Sequence, residues 1–594
     1  MTELPNRNSV DKKYVWKLED IFESAEDFQK EFDYLQKNVN AFEKYKGKLS
    51  DKKALSELFK MESGLGERLE RAYVYAHLLR DQDTADSRNN ARAIKTDLLA
   101  TKFSNATSFI LPELTKQKEE YLNGLLTDAE FDDYRVMIKE IIRSKEHILS
   151  DKEESILSKA GSFSGDFQEI FVMFDNADIR FKPYRDSQNN KVILSHGLYS
   201  LALQSPNQND RKKAFNSMFN AYKEMINTIA GNYAGNVKKD WFYADVRGFD
   251  SCLEKAMFYE NVTKTVYDKL VDNVHENFDA MHDYVAYRKQ ALKLETLNMY
   301  DMYVPIVEGA DISLSYEESA ELVKKALTPL KEDYQKILNE AFDGGWIDVA
   351  ENKGKKSGAY SWGAYGVHPY VLLNYQKTTH DVFTIAHELG HAIHSYYSNS
   401  AQSYENAGYV IFVAEIASTV NEVLLIKYLL KNTTDKGVKK YLLSYYMDMF
   451  RTTLFRQTMF AEFEKIAHNL VEKDVPLNAE TLNKEYFKLN KKYYGKAVKH
   501  NSLIKYEWAR IPHFYTSFYV YKYATGIISA VNIANAILQD DDKVKGYKEF
   551  LKAGCSMPPL EILKLAGVDL ESDMPYKAAF EEFRNTLKEL KELD

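Results

Sequence analysis

Thr378-Thr379-His380-Asp381-Val382-Phe383-Thr384-Ile385-Ala386-His387-Glu388-Leu389-Gly390-His391 decides how this chain is read. An α-helix turns about 100° per residue, so His387 and His391 would share one face, about 6 Å apart along the axis. Two imidazoles so placed can hold one metal ion. Glu388, next in sequence, reaches a water beside that ion rather than the ion itself. No proline interrupts the stretch through Ser398, and Asp381 falls in the first turn, where negative charge is favoured. Thr378 and Thr379 are both placed to cap the amino end. The pattern predicts a helix over 379–398. The plainer alternative is a buried amphipathic helix whose histidines satisfy polar neighbours.

A catalytic zinc site takes three protein ligands and keeps one position open. The metzincin arrangement needs Gly at 394 and His at 397; the chain has His394 and Tyr397. The acidic candidate lies further on, in Ile411-Phe412-Val413-Ala414-Glu415-Ile416-Ala417-Ser418-Thr419-Val420-Asn421-Glu422. A carboxylate among apolar residues is costly unless it is paired or binds a metal, which singles out Glu415. Glu422 returns to the same helical face seven residues later, either as a carboxylate that orients a ligand histidine or as an ordinary exposed side chain. Glu405 ranks below both, in the loop-like stretch 400–408.

Composition suits a large helical enzyme. With 594 residues the chain can bury an extensive core, and its 25 glycines and 12 prolines fall well below average usage of about 7% and 5%, favouring long helices. Cys252 and Cys555 are too few for a disulfide framework or a cysteine zinc cluster. Neither an apolar signal core at the amino end nor an 18-residue apolar run is present, so a cytoplasmic location without a membrane span is expected. A formal charge of −9 argues against nucleic acid as the main partner.

Amphipathic helices are predicted over 27–45, 52–81 and 86–109. Residues 179–197, with Asp186-Ser187-Gln188-Asn189-Asn190 in the middle, suggest a hairpin. Helical patterning resumes with Ser205 as a cap and Pro206 at the first helical position, and persists to about Asn339. A soft boundary is placed near residue 200. It separates an amino-terminal helical region, 1–200, from a catalytic region, 201–594.

The main break is 343–375, where spaced glycines and aromatics precede the apolar run Pro369-Tyr370-Val371-Leu372-Leu373. A loop feeding a short strand is expected, with no Gly-Lys-Ser/Thr to make it a phosphate loop. Such a strand offers an edge for an extended peptide or simply supports the site. Far downstream, His513-Phe514-Tyr515-Thr516-Ser517-Phe518-Tyr519-Val520-Tyr521-Lys522-Tyr523 concentrates groups able to donate to a developing oxyanion; aromatic core packing is the alternative.

These segments together resemble oligoendopeptidase F, of the thimet-oligopeptidase-like metallopeptidases. Tyr14-Val15-Trp16-Lys17-Leu18-Glu19-Asp20-Ile21-Phe22, the 346–363 loop, Phe550-Leu551-Lys552-Ala553-Gly554 and Ala566-Gly567-Val568-Asp569 extend the resemblance over nearly the whole chain. It implies a mostly α, elongated multi-helix body around a deep channel, with a small β element beside the motif helix. It also implies one zinc ion per chain and short unstructured oligopeptides as substrates. By the same resemblance His387, His391 and Glu415 are metal ligands, Glu388 is the catalytic base, and His513, Tyr515 and Tyr521 contact the substrate carbonyl, with Tyr519 an alternative among the tyrosines. Two other readings stay open: a dipeptidyl carboxypeptidase-type exopeptidase, for which no residue announces a grip on a free carboxylate, and a catalytically inactive peptide-binding protein.

Overall fold

The computed structural model describes residues 4–307 and 313–594, most of them helical, with three small sheets among them. Helices begin where a side chain can accept from the first free amides. Ser24 caps Ala25–Asn38, Asp51 caps Lys52–Asp81 and Asp86 caps Ser87–Thr107. The helix expected over 27–45 stops at Asn38; Ala41–Tyr45 continues as a 3-10 turn that still buries Phe42 and Tyr45.

Contacts divide the chain into two compact units. One comprises Met1–Ile148, Ile312–Tyr428 and Ile533–Val568, the other Leu149–Asp311, Leu429–Asn532 and Asp569–Asp594. Both units draw on sequence from either side of residue 200, so this division differs from the single cut read from the sequence. Helices bury their apolar stripes against whichever helices complement them, however distant along the chain.

In the first unit the 30-residue helix Lys52–Asp81 is the spine: Leu55, Leu58, Leu65, Leu69, Ala72 and Ala76 recur at intervals of three, four or seven residues and are buried. They join a core containing Trp16, Phe28, Phe131, Tyr370 and Leu372. A three-stranded sheet sits before the motif helix. Its centre, Tyr370–Leu372, pairs in parallel with Ile347–Asp348 and antiparallel with Tyr360–Trp362. The strand preceding the motif is therefore not an edge. Of the two outer strands only Tyr360–Trp362 is half-exposed. Buried Asp348 is paired with Arg7 at 2.5 Å and with Lys355 at 2.6 Å, which fixes the sheet to the amino-terminal segment.

The second unit is built on helices that include Gln208–Glu224, Ile226–Asp245, Phe278–Ala291, Lys436–Met449 and Arg456–Glu472. Its core is rich in fully buried tyrosines, among them Tyr222, Tyr233, Tyr267, Tyr284 and Tyr486. The predicted hairpin forms: Tyr184–Arg185 pairs antiparallel with Lys191–Val192, and Asp186 Oδ1 accepts from the Gln188 and Asn190 amides across the turn. The cap assigned to Ser205 is corrected. Asn207 caps the helix, accepting from the Asn209 and Asp210 amides, whereas Ser205 Oγ accepts from the Asn207 amide one turn earlier. Cys252 and Cys555 are free thiols. Among the described residues no helix is long and apolar enough to cross a membrane.

Candidate metal centre

The motif lies on the helix Thr379–Ala401 in the first unit. Thr378 is its cap: Oγ1 accepts from the Asp381 amide at 3.2 Å, and Asp381 Oδ2 accepts from the Thr378 amide at 2.8 Å. This reciprocal box satisfies two amides that the first turn would leave open. Val382, Ile385, Ala386, Leu389 and Ile393 face the core, leaving His387 and His391 half-buried on the other side.

Gly390 explains how a second helix comes near. A Cβ there would lie 2.5 Å from Ser418 Cα and 2.8 Å from the Ala417 carbonyl oxygen, so only glycine lets the helix Ile411–Asn432 approach this closely. Glycine in a helix interior is unfavourable by about 1 kcal/mol, and this contact is its reason. Asn421 bolts the pair together. Its Nδ2 donates to the Ala386 carbonyl at 3.0 Å, and its Oδ1 accepts from Tyr334 at 3.0 Å, all buried. The only trace of this in the sequence is a polar amide in an apolar helical run; its partners are not legible there.

The approach brings the third acidic group into place. Glu415 Oε2 lies 3.5 Å from His387 Nε2 and 3.6 Å from His391 Nε2. The ligand atoms of these three residues lie within 4.8 Å of one another, and among the described residues no other such group of three His, Cys, Asp or Glu occurs. Two nitrogens and one oxygen, each about 2.0–2.1 Å from a tetrahedral ion, would stand about 3.3 Å apart, so the donor set fits. Glu422 Oε2 lies 3.3 Å from His387 Nδ1, where it fixes the ring so that Nε2 points to the shared locus. Glu405 is elsewhere, accepting from Ser63 at 2.5 Å.

Electrostatics follow from this crowding. Burial alone would lower the pKa of His387, but Glu422 through charge and hydrogen bond, with Glu388 and Glu415, raises it to about 9. Burial lifts the Glu388 carboxyl above its ordinary range, with the two histidines pulling against it. Burial would lift Glu415 too, yet its hydrogen bond to His391 and the charges of both histidines hold it low. His394 lies beyond the cluster and is not part of it. It is stacked 3.8 Å from Tyr409 and buried, and burial depresses its pKa to about 3.

The aromatic segment belongs to the second unit. Ser517 Oγ donates to Asp240 at 2.6 Å, and the Phe518 amide donates to buried Glu464 at 3.1 Å. Phe518 takes φ of 58°, uncommon for a side chain of this size, and so reverses the chain here. The turn groups His513 with Tyr519, its ring 5.8 Å away and nearly parallel, and with Tyr523, whose hydroxyl is 3.4 Å from Nε2. All three are half-buried. Tyr515 and Tyr521 are not brought to that face. Tyr521 is fully buried and donates to Glu260 at 2.6 Å; Tyr515 is stacked on Phe171 and accepts from Asn232 at 3.1 Å. Tyr523 is the member that sequence reasoning passed over.

A family model described as Peptidase family M3 matches residues 201–582, and one described as Oligopeptidase F matches 113–181. Oligopeptidase PepF of Bacillus subtilis is 41% identical over 594 residues, covering 100% of this chain and 89% of that protein. The chain belongs to peptidase family M3. It is thus a metalloendopeptidase of the oligopeptidase F branch, and a metal centre comes with the family. A crystal structure from Chlamydophila abortus superposes with a TM-score of 0.94 at 34% identity, each chain covered to 100%. An oligoendopeptidase F from Enterococcus faecium gives 0.74 at 34% identity, covering 96% of this chain and 99% of that one. The mostly α architecture expected of an M3 peptidase is the one found.

Proposed function

We propose that this M3 peptidase cleaves internal bonds of short, unstructured oligopeptides in the cytoplasm, with zinc held by His387, His391 and Glu415. The observation that carries the reading is the convergence of two imidazole nitrogens and one carboxylate oxygen within 4.8 Å, beside the buried carboxylate of Glu388. A zinc ion so held supplies Lewis acidity, lowering the pKa of a neighbouring water and polarising the scissile carbonyl. Glu388 accepts the proton of the attacking water and delivers it to the leaving amine. Glu422 keeps His387 in the tautomer that presents Nε2.

Negative charge that develops on the carbonyl oxygen calls for donors. We assign these to His513, Tyr519 and Tyr523, with Tyr515 and Tyr521 holding the segment in shape. Burial and the Arg456 charge lower the pKa of His513, which keeps the ring neutral, with one N–H to give, at neutral pH. The test is hydrolysis of a quenched oligopeptide with the purified protein, with chelator and after zinc is restored. Cleavage that stops with chelator, returns with zinc and persists when both peptide ends are blocked is expected. Undiminished cleavage in chelator would overturn the metal assignment, and loss of cleavage on end-blocking would overturn the internal cut.

A further inference from the structure

Within the second unit lies a cavity of about 260 Å³ that the proposed reaction leaves unused. Tyr199, Tyr303, Arg456, Tyr494, Glu507 and Arg510 line it, drawn from five separate stretches of sequence. Its charges do not balance. Glu507 is buried and both its oxygens are engaged, Oε1 by Arg456 at 2.7 Å and Oε2 by Tyr486 at 2.5 Å. Arg510 stands 3.6 Å from the same Oε1, beyond hydrogen-bond reach, and its Nε is buried without a hydrogen-bond partner among the described residues. Two guanidinium groups thus face one carboxylate. The three phenols add hydroxyl donors around them.

A planar guanidinium with donors to spare recognises an oxyanion through paired N–H bonds, and a partly buried one gains most from it. Arg510 closes the 3-10 segment Ser502–Arg510, and His513 follows in the next turn, Pro512–Tyr515. Burial, with the charge of Arg456, lowers the pKa of that imidazole. We propose that this cavity binds a carboxylate of the peptide substrate, with Arg510 as its main partner and the aromatic wall holding the residue that bears it. The inference rests on the peptidase reading. The carboxylate comes from the peptide's own carboxyl terminus or from an acidic side chain.

The experiment uses zinc-loaded full-length protein and three quenched peptides of one sequence: a free acid with one internal Glu, its carboxyl-terminal amide, and the free acid with that Glu replaced by Gln. Removing the recognised carboxylate should raise KM about tenfold with little change in kcat, since a charged hydrogen bond contributes about 1.5–3 kcal/mol. Arg510→Gln should abolish that discrimination, and Tyr303→Phe should reduce it. Sensitivity to the amide identifies the terminus as the source, and sensitivity to Gln identifies the side chain. Equal KM for all three peptides, or a discrimination that survives Arg510→Gln, overturns the proposal. Binding of the same peptides to Glu388→Gln protein, followed by fluorescence anisotropy, scores the cavity even if no peptide is cleaved. Absence of chelator-sensitive cleavage by the unaltered protein is instead a failure of the peptidase reading.

Discussion

The helix Thr379–Ala401 and the segment from Pro512 to Tyr523 both carry imidazoles assigned to one reaction, yet they are specified in different ways. In the first, 3.6-residue periodicity alone aligns His387 with His391, and the two carboxylates paired with them, Glu415 and Glu422, come from one neighbouring helix. In the second, a 3-10 turn, a left-handed Phe518 and hydrogen bonds to Asp240 and Glu464 determine which rings face outward. A regular helix transmits sequence spacing directly into geometry. An irregular turn does so only through its partners.

The largest effect is expected at Glu388. Glu388→Gln should lower kcat by about 10³-fold or more while zinc stoichiometry stays near one, because general-base catalysis contributes roughly 10²–10⁴. Metal analysis beside turnover checks it, and substantial hydrolysis with bound zinc removes the base assignment. Glu415→Ala should instead lose the metal; full zinc occupancy in that variant would return attention to Glu405 and Glu422.

In the irregular segment the tyrosines should divide. Tyr523→Phe or Tyr519→Phe should reduce kcat by about 10²-fold, the scale of one oxyanion donor, with unfolding unchanged. Tyr521→Phe should leave kcat within about twofold yet cost about 1 kcal/mol of stability, since Glu260 loses one donor and keeps its pairing with Lys522. The reverse result in denaturation and kinetics would restore Tyr521 as a substrate contact.

Glu422→Gln tests the support beneath His387. Zinc affinity should fall by about 10–100-fold, measured by competition with a chromophoric chelator, while Glu422→Asp recovers part of it. Gly390→Ala is the smallest change: the added methyl meets backbone at 2.5 Å, so stability should drop by about 1–3 kcal/mol in thermal unfolding, with zinc bound more weakly. An unaffected melting temperature would show that the two helices can separate freely.

Much of the centre is legible in the chain itself. The Thr378 cap, the two histidines on one face and the costly carboxylate at Glu415 all follow from helix geometry and the penalty for burying charge. Helix boundaries were less so. Ser205 lost the cap to Asn207, and the 27–45 pattern broke at Asn38, because several residues of similar chemistry compete within one turn and tertiary packing selects among them.

Periodicity and the cost of burial act locally, so the chain alone already points to a mostly helical body and to the three residues proposed to hold the metal. The three-dimensional packing adds what the chain does not show: Gly390 and Asn421 seat the helix that carries Glu415, Tyr523 rather than Tyr521 joins His513, and Arg456 and Arg510 share one acid. Each depends on residues distant in sequence meeting in space, and whether a buried polar group is satisfied is a property of the neighbours it finds there.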